Sequence, residues 1–375
     1  MTRYLLAGGG TVGHVNPLLA VAERLRERDS ASSVLVLGTR EGLEARLVPE
    51  RGFELAAVAR LPFPRKPGRA LLAFPRKFRA LVAEIHDLIV EREIDVVVGF
   101  GGYVSAPAYL AARRARVPIV VHEANAVPGL ANRLGSRFTR FVGVAFAATR
   151  LRHARVVGMP LRREIERLDR AGLRAHAQTV LGLDPAKPML LVTGGSLGAG
   201  RINDAINQAS ANLIGAGWQL FHLVGERSPL KGSEPRNSGL PGYHILAYSD
   251  RMDLAFAAAD FVVARAGSAT VSEVTALGLP ALYVPLPIGN GEQRKNAQSV
   301  VDAGGALLVD DRDFTAEWIT RELVPLLQRP AEIASMAAVA HAIGTRSGTE
   351  NTVALIDEAV AHADVGAGTS EGKND

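Results

Sequence analysis

The chain has 375 residues, 47% of them apolar, with 43 Lys and Arg against 38 Asp and Glu and no cysteine. That length favours two domains, and the missing cysteine removes disulfides, thiolate metal sites and a cysteine nucleophile, in keeping with a reducing cytoplasm. Residues 1–160 hold 24 Lys and Arg against 13 Asp and Glu, and the remainder 19 against 25, so only the N-terminal half suits an anionic partner.

The N-terminus, MTRYLLAGGG, carries no signal-peptide pattern. Residues 3–7 read as a strand, followed by a glycine loop and a helix from about Pro17. SVLVLG (33–38) predicts a second strand, IDVVVGFGG (94–102) a third with its own glycine loop, and VPIVVHEAN (117–125) a fourth. The uncharged run 96–112 is too short, and too broken by Gly101, Gly102 and Pro107, to span a bilayer. Apolar runs alternating with helical patterns indicate a parallel sheet with crossover helices. The pattern restarts at KPMLLVTGGSLGAGRIND (187–204), and WQLFHLVG, YHILAYS, DFVVARAGS and PALYVPLP continue a second series. Two Rossmann-like α/β domains are therefore expected, over 1–160 and 161–344. A last helix is expected over about 345–362, and the small, polar tail 363–375 predicts disorder.

Gly8, Gly10 and Gly13 satisfy G-x-G-x-x-G, the spacing of a dinucleotide-binding loop. A nicotinamide dehydrogenase also needs an acid at the end of the second strand. Here VLVLG runs into Thr39 and Arg40 before Glu41, which weighs against an NAD(P)-dependent oxidoreductase, and that fingerprint has no need of His14.

Taken in order, the loop bearing His14, GGYVSAP, HEANAVPGLAN, GGSLGAGRIN and RAGSATVSEVTALGLPALYVP are together distinctive. From the first strand to about residue 300 the chain resembles the bacterial peptidoglycan glycosyltransferases that add N-acetylglucosamine to lipid I, yielding lipid II. The resemblance implies the GT-B fold, two Rossmann-like parallel-sheet domains with the active site in the cleft and the final helix crossing back to the first domain. It also implies UDP-GlcNAc as donor and a lipid-linked acceptor. It further implies a peripheral place on the cytoplasmic face of the cell membrane, with cell-wall synthesis and division proteins as candidate partners. The chain departs from the family pattern at Val12 (T-G-G-H in the family), Ala124 (H-E-Q-N), Met159 (G-N-P) and Leu197 (commonly Gln). Val12 would be strained if its position required positive φ.

Moving a sugar off a nucleoside diphosphate requires compensation of the departing charge and removal of a proton from the acceptor hydroxyl. GGSLGA (194–199) follows a strand and opens a helix, so its N–H groups suit a diphosphate, with Ser196 adding a hydroxyl; a bare strand–helix turn is the alternative. The resemblance places Arg162 near this diphosphate, against the alternative of a solvated arginine. The single D-x-D, Asp311-Arg312-Asp313, ends a strand and precedes a helix, where Asp serves as turn former and cap. No metal or other cofactor is therefore expected. In AGSATVSEV, the small residues Gly267, Ser268, Ala269 and Thr270 let backbone approach a phosphate. Glu273 could accept two ribose hydroxyls, although Thr270-x-x-Glu273 is equally a capping box; the resemblance favours the ribose.

His14 suits a general base for the sugar 4-hydroxyl, because an imidazole titrates near neutrality; a structural histidine beside a turn is the alternative. Glu123 is the rival base, or the group that orients His14. The resemblance assigns Thr11, Val12, Gly13, Asn125, Ser249 and Gln293 to the donor, with Glu292 the neighbouring alternative to Gln293. GGYVSAP offers a second anion-ready turn, with Gly101, Gly102 and Ser105 for the acceptor diphosphate.

From Leu55 to Ala83 there is no acidic residue. Arg60, Arg65, Lys66, Arg69, Arg76, Lys77 and Arg79 lie among Leu61, Phe63, Leu71, Leu72, Phe74 and Phe78, a composition that predicts an interfacial membrane patch. Each cation near an anionic surface is worth about 1 kcal/mol; a solvated basic loop is the alternative. Nucleic acid is not expected, since no base-reading motif accompanies the charge. The rival readings are a sibling transferase acting on a diacylglycerol and a non-catalytic membrane-binding subunit.

Overall fold

The computed structural model describes all residues except Thr11, 65–68, 196–197, 231–239, 289 and 372–375, and leaves the side chains of Val12, 69–70 and 364–371 undescribed. The chain divides into two compact units, Met1–Arg162 with Arg346–Asp375, and Arg163–Thr345.

In the first unit, β1 (Arg3–Gly8), β2 (Ser33–Thr39), β3 (Glu54–Val58), β4 (Val96–Gly101), β5 (Ile119–Glu123), β6 (Val142–Val144) and β7 (Ala154–Val156) form one parallel sheet. Its order is β3-β2-β1-β4-β5-β6-β7. The central strands β1, from Tyr4 on, and β4 are apolar because helices cover both faces. On one face α3 (Arg69–Glu91) buries Leu81, Ile85 and Ile89, spaced by one helical turn, while α4 (Ser105–Ala115) buries Tyr109, Ala111 and Ala112; the short helices α2 (Glu44–Glu50) and α5 (Leu130–Gly135) follow β2 and β5. On the other face lie α1 (Val12–Arg28) and the C-terminal helix Gly348–Glu371, whose Val353, Leu355, Ile356 and Ala359 join the core around Leu18 and Val98. Ion pairs Arg28–Asp357 (2.8 Å), Arg155–Glu358 (2.8 Å) and Arg24–Glu350 line that contact. The helical run continues to Glu371, into the segment that composition assigns to disorder. Once anchored turns exist, each further residue extends the ladder without a new nucleus.

In the second unit α6 (Arg163–Glu166) and α7 (Arg170–Val180) precede a six-stranded parallel sheet. Its strands are β8 (Met189–Thr193), β9 (Gln219–Leu223), β10 (Tyr243–Leu246), β11 (Phe261–Ala264), β12 (Ala281–Tyr283) and β13 (Ala306–Leu308), in the order β10-β9-β8-β11-β12-β13. Helix α8 (Gly200–Gly215) presents Ile202, Ala205, Ile206, Ala209 and Leu213 to the core, the i, i+3, i+4, i+7 stripe of an amphipathic helix. A buried polar chain ties its first turn to the sheet. His222 Nε2 meets Asn203 Oδ1 (3.1 Å), His222 Nδ1 meets the Tyr243 hydroxyl (2.9 Å), and Asn203 Nδ2 donates to the Val224 carbonyl (2.8 Å).

Candidate active site

Each sheet reverses its strand order once, between β1 and β4 in the first unit and between β8 and β11 in the second. In open parallel sheets such a reversal leaves a crevice outside the carboxyl ends of the strands, where ligands bind. The glycine turns of this chain sit at those points.

In the first unit the turn after β1 places His14 in the opening turns of α1. Gly10 takes positive φ (87°), whereas Val12 begins the helix, so a β-branched residue at 12 carries no left-handed strain. Thr11 lies outside the described residues, and so does the Val12 side chain. His14 Nδ1 lies 3.2 Å from the Gly9 carbonyl. A carbonyl oxygen only accepts, so in the neutral ring Nδ1 carries the hydrogen and the basic lone pair is on Nε2. That nitrogen faces the turn after β4, since a Cβ built on Gly101 would stand 3.1 Å from it. Gly101 and Gly102 both have positive φ, and a Cβ on Gly102 would overlap the Gly9 carbonyl, so the two glycine turns touch. Ser105 is buried, and its hydroxyl is spent within the turn, accepting from Gly101 N–H (3.0 Å) and reaching the carbonyls of Gly101 (2.8 Å) and Ala7 (3.0 Å).

Glu123 ends β5 and is 2% exposed. Its Oε1 accepts from Asn125 N–H (2.9 Å) and Asn125 Nδ2 (3.4 Å), and its Oε2 from Gly129 N–H (3.0 Å) and Asn132 Nδ2 (2.9 Å). A carboxylate holding four donors is a clamp on the 124–132 loop. Sequence reasoning did not single out Asn132, which also donates to the His122 carbonyl (3.0 Å) and accepts from Tyr109 OH (2.7 Å). The signal available was a polar residue inside the HEANAVPGLAN run. His122 itself is fully buried, and burial holds its pKa down to about 4.

In the second unit the turn after β8 includes Gly195 and Gly198, both at positive φ, and opens α8; Ser196 lies outside the described residues. The neighbouring turn after β11 leads into the helix Ser268–Ala276, whose N-cap is Gly267. Thr270 therefore sits inside the first turn, and the capping-box alternative for Thr270 and Glu273 does not hold. Ser268 is buried, while Ala269, Thr270 and Glu273 are half-buried. Gln293 lies in the first turn of the helix Glu292–Asp302, and its Oε1 accepts from Leu286 N–H (2.9 Å), closing the loop between them. Ser249 follows β10, where its hydroxyl accepts from Arg251 N–H (3.2 Å), and Arg162 is the half-buried last residue of the first unit's main segment.

The D-x-D is a correction. The following helix, Ala316–Trp318, is capped by Thr315, whose hydroxyl accepts from Trp318 N–H (3.2 Å). Asp313 belongs to the turn, its N–H donating to the Asp310 carbonyl (2.9 Å) and its carboxylate lying 3.6 Å from the exposed Arg312 guanidinium. Asp311 instead pairs with Arg265 (2.6 Å) and Arg201 (3.1 Å). Arg265 also donates to the carbonyls of Val284 and Pro285 (3.1 Å each), so this ion pair rivets together the loops after β11, β12 and β13. A cavity of about 450 Å³ opens beside it, between Arg201, Arg294 and the 285–288 segment. Among the described residues no cluster of three metal-ligating side chains occurs.

The predicted membrane patch surrounds the start of α3. Phe63 packs edge-on against Phe74 (5.2 Å between centroids), which stacks on Phe78 (5.5 Å). Leu72 is 83% exposed, and Arg76, Lys77 and Arg79 are exposed beside it. Arg65 and Lys66 lie outside the described residues, as does the Arg69 side chain. Among the described residues no helix is long and apolar enough to cross a membrane.

Two Rossmann-like units, each with glycine turns at its strand-order reversal, define a GT-B-type nucleotide-sugar glycosyltransferase fold. The glycosyltransferase family 28 N-terminal domain matches residues 4–144 and the family 28 C-terminal domain residues 189–352. The chain belongs to glycosyltransferase family 28. It is 60% identical, over 95% of its length and 98% of the relative's, to the UDP-N-acetylglucosamine–N-acetylmuramyl-(pentapeptide) pyrophosphoryl-undecaprenol N-acetylglucosamine transferase of Leifsonia xyli subsp. xyli. The enzyme of the same name from Streptomyces coelicolor is 50% identical over 96% of this chain and 98% of its own. The crystal structure of Acinetobacter baumannii MurG superposes with a TM-score of 0.77 at 27% identity, covering 95% of this chain and all of that one.

Proposed function

We propose that this chain transfers N-acetylglucosamine from UDP-GlcNAc to the 4-hydroxyl of undecaprenyl-diphosphate-N-acetylmuramoyl-pentapeptide, making the lipid-linked disaccharide of peptidoglycan synthesis. The observation that carries this reading is the 60% identity, over almost the whole of both chains, to a relative bearing that name. In the reaction the acceptor O4 attacks C1 of the donor sugar, the bond from C1 to the diphosphate breaks with inversion, and UDP departs. His14 takes the O4 proton on Nε2; the hydrogen bond from Nδ1 to Gly9 supports that assignment, because it leaves the lone pair on Nε2. Glu123, with both oxygens holding donors, positions the loop of Asn125. Gly101 and Gly102 approach the acceptor diphosphate by backbone, and Ser105 builds their turn.

The donor diphosphate is held by the turns at 194–198 and 267–270, with Ser196, Ser268, Ala269, Thr270 and Arg162, and the ribose by Glu273. Thr11, Val12, Gly13, Ser249 and Gln293 complete the donor site. Backbone N–H groups at two helix starts, together with an arginine, compensate the leaving charge, and transfer proceeds without a metal. The engagement of Asp311 by two arginines supports this, since it takes the first acid of the D-x-D out of use as a ligand. The exposed aromatic and basic surface around α3 docks on anionic lipid at the cytoplasmic face of the membrane, where the acceptor lies.

The test is transfer from radiolabelled UDP-GlcNAc to a lipid I analogue in EDTA, with a diacylglycerol as competing acceptor. Labelled disaccharide on the lipid I analogue alone is expected, and His14→Ala is expected to lower turnover by roughly 10²–10⁴-fold with UDP affinity kept. Labelled diacylglycerol, or no product, would overturn the assignment.

A further inference from the structure

We propose that Glu44 is a positioning residue for this transfer, acting on His14 through a single peptide group of the first glycine turn. The proposal rests on the reading of His14 as the base. Glu44 opens α2 (Glu44–Glu50), belongs to none of the motifs above, and is fully buried. Its Oε1 accepts from the N–H (2.9 Å) and hydroxyl (2.7 Å) of Thr39 at the end of β2, and its Oε2 accepts from the N–H of Gly10 (3.0 Å).

The Gly10 N–H and the Gly9 carbonyl are the two ends of one peptide group. Because a trans peptide is planar, its N–H and C=O point in opposite directions. One end is therefore held by the Glu44 carboxylate, and the other receives Nδ1–H of His14. The line runs from carboxylate to peptide to imidazole. It fixes the plane of the Gly9–Gly10 peptide, which otherwise turns freely between two glycines, and so selects the tautomer whose lone pair is on Nε2. A carboxylate at the N–H end also polarises the amide and makes its oxygen a better acceptor.

Two further observations show that the place is built for an ionised carboxylate. Burial alone would raise the Glu44 pKa, but hydrogen bonds from Gly10 and Thr39 outweigh it and leave the group below the ordinary carboxylate value. Side chains are also missing around it, since a Cβ on Gly9 or Gly42 would overlap the carboxylate and one on Gly38 would overlap its Cγ. Gly9 is one of the positions that G-x-G-x-x-G leaves unspecified, and Glu44 supplies the reason it is glycine here.

The test is Glu44→Gln, which keeps the shape but replaces one acceptor oxygen with a donor. Turnover is expected to fall on the order of 10–100-fold, as for removal of a group that orients a functional histidine, with the UDP-GlcNAc KM unchanged. In spectra of protein carrying ¹⁵N-labelled histidine, with His14 assigned by its loss in His14→Ala, the wild type should show the Nδ1–H tautomer and the variant a mixture. Wild-type turnover in Glu44→Gln, or loss of turnover with the His14 tautomer unmoved, would overturn the proposal. Should the variant not fold, the wild type decides alone. There the Gly10 amide proton should be shifted strongly downfield and His14 should be the Nδ1–H form, and an Nε2–H form would refute the relay. Full activity in His14→Ala would instead sink the base assignment itself, so the two failures are distinguishable.

Discussion

Lowering the pH from about 8 to about 5 is expected to weaken the second unit by about 2 kcal/mol through one side chain, His222. Burial on β9 holds its pKa down to about 3 from the usual 6.5. The hydrogen bonds explain how a neutral ring is satisfied there. Asn203 Oδ1 only accepts, so Nε2 carries the hydrogen, and Nδ1 accepts from the Tyr243 hydroxyl. The unfolded chain takes up a proton below pH 6.5, whereas the folded one does not until near pH 3. Stability is thus fully present above the unfolded pKa and falls as the pH drops, at about 1.4 kcal/mol per pH unit. Between 6.5 and about 5 that amounts to about 2 kcal/mol.

Both tryptophans of the chain, Trp218 and Trp318, lie in the second unit, so their fluorescence during urea unfolding reports this unit alone. The comparison is with His222→Gln, whose amide donates to Asn203 and accepts from Tyr243 but does not titrate. Other groups, including the half-buried His244, contribute equally to both proteins and cancel. The stability gap between wild type and variant should shift by about 2 kcal/mol between the two pH values. Parallel losses would refute the reasoning.

Two further outcomes are expected. Asp311→Ala strands Arg265, whose side chain is only 12% exposed, without its carboxylate. It should cost about 3 kcal/mol in the same fluorescence assay, as for removal of one partner of a buried pair, and a loss under about 1 kcal/mol would show that the rivet is idle. Reversing Arg76, Lys77 and Arg79 to Glu should weaken sedimentation with phosphatidylglycerol vesicles at least about 100-fold, three lost cations at about 1 kcal/mol each. Unchanged partition would remove that surface from the docking role.

Much of the fold was legible from local pattern. Strands buried on both faces must be apolar along their length, and β1, β4, β8 and β11 announce themselves that way. Tight turns into helices need glycine, so the turns at 8–10, 101–102 and 194–198 could be placed beforehand. Capping was less legible. Thr270-x-x-Glu273 and Asp311-x-Asp313 both look like helix starts, yet the caps are Gly267 and Thr315. Several residues qualify chemically in each stretch, and the choice depends on where the preceding strand releases the chain.

By itself, then, the order of apolar runs and glycine turns determined the twin Rossmann-like architecture, and the motifs at the strand ends carried the family resemblance, since each is written in neighbouring positions. What only the tertiary structure decided is which polar groups meet. Glu44 lies 34 positions from the Gly10 N–H it holds, and Asp311 reaches one arginine just after β11 and another in the first turn of α8. In sequence Asp311 reads as a turn former and cap, and Glu44 belongs to no motif. They become buried partners because strand order brings the ends of β1 and β2, and of β11 and β13, to one edge of their sheets, and an acid shut away from water there must take whatever donors that edge supplies.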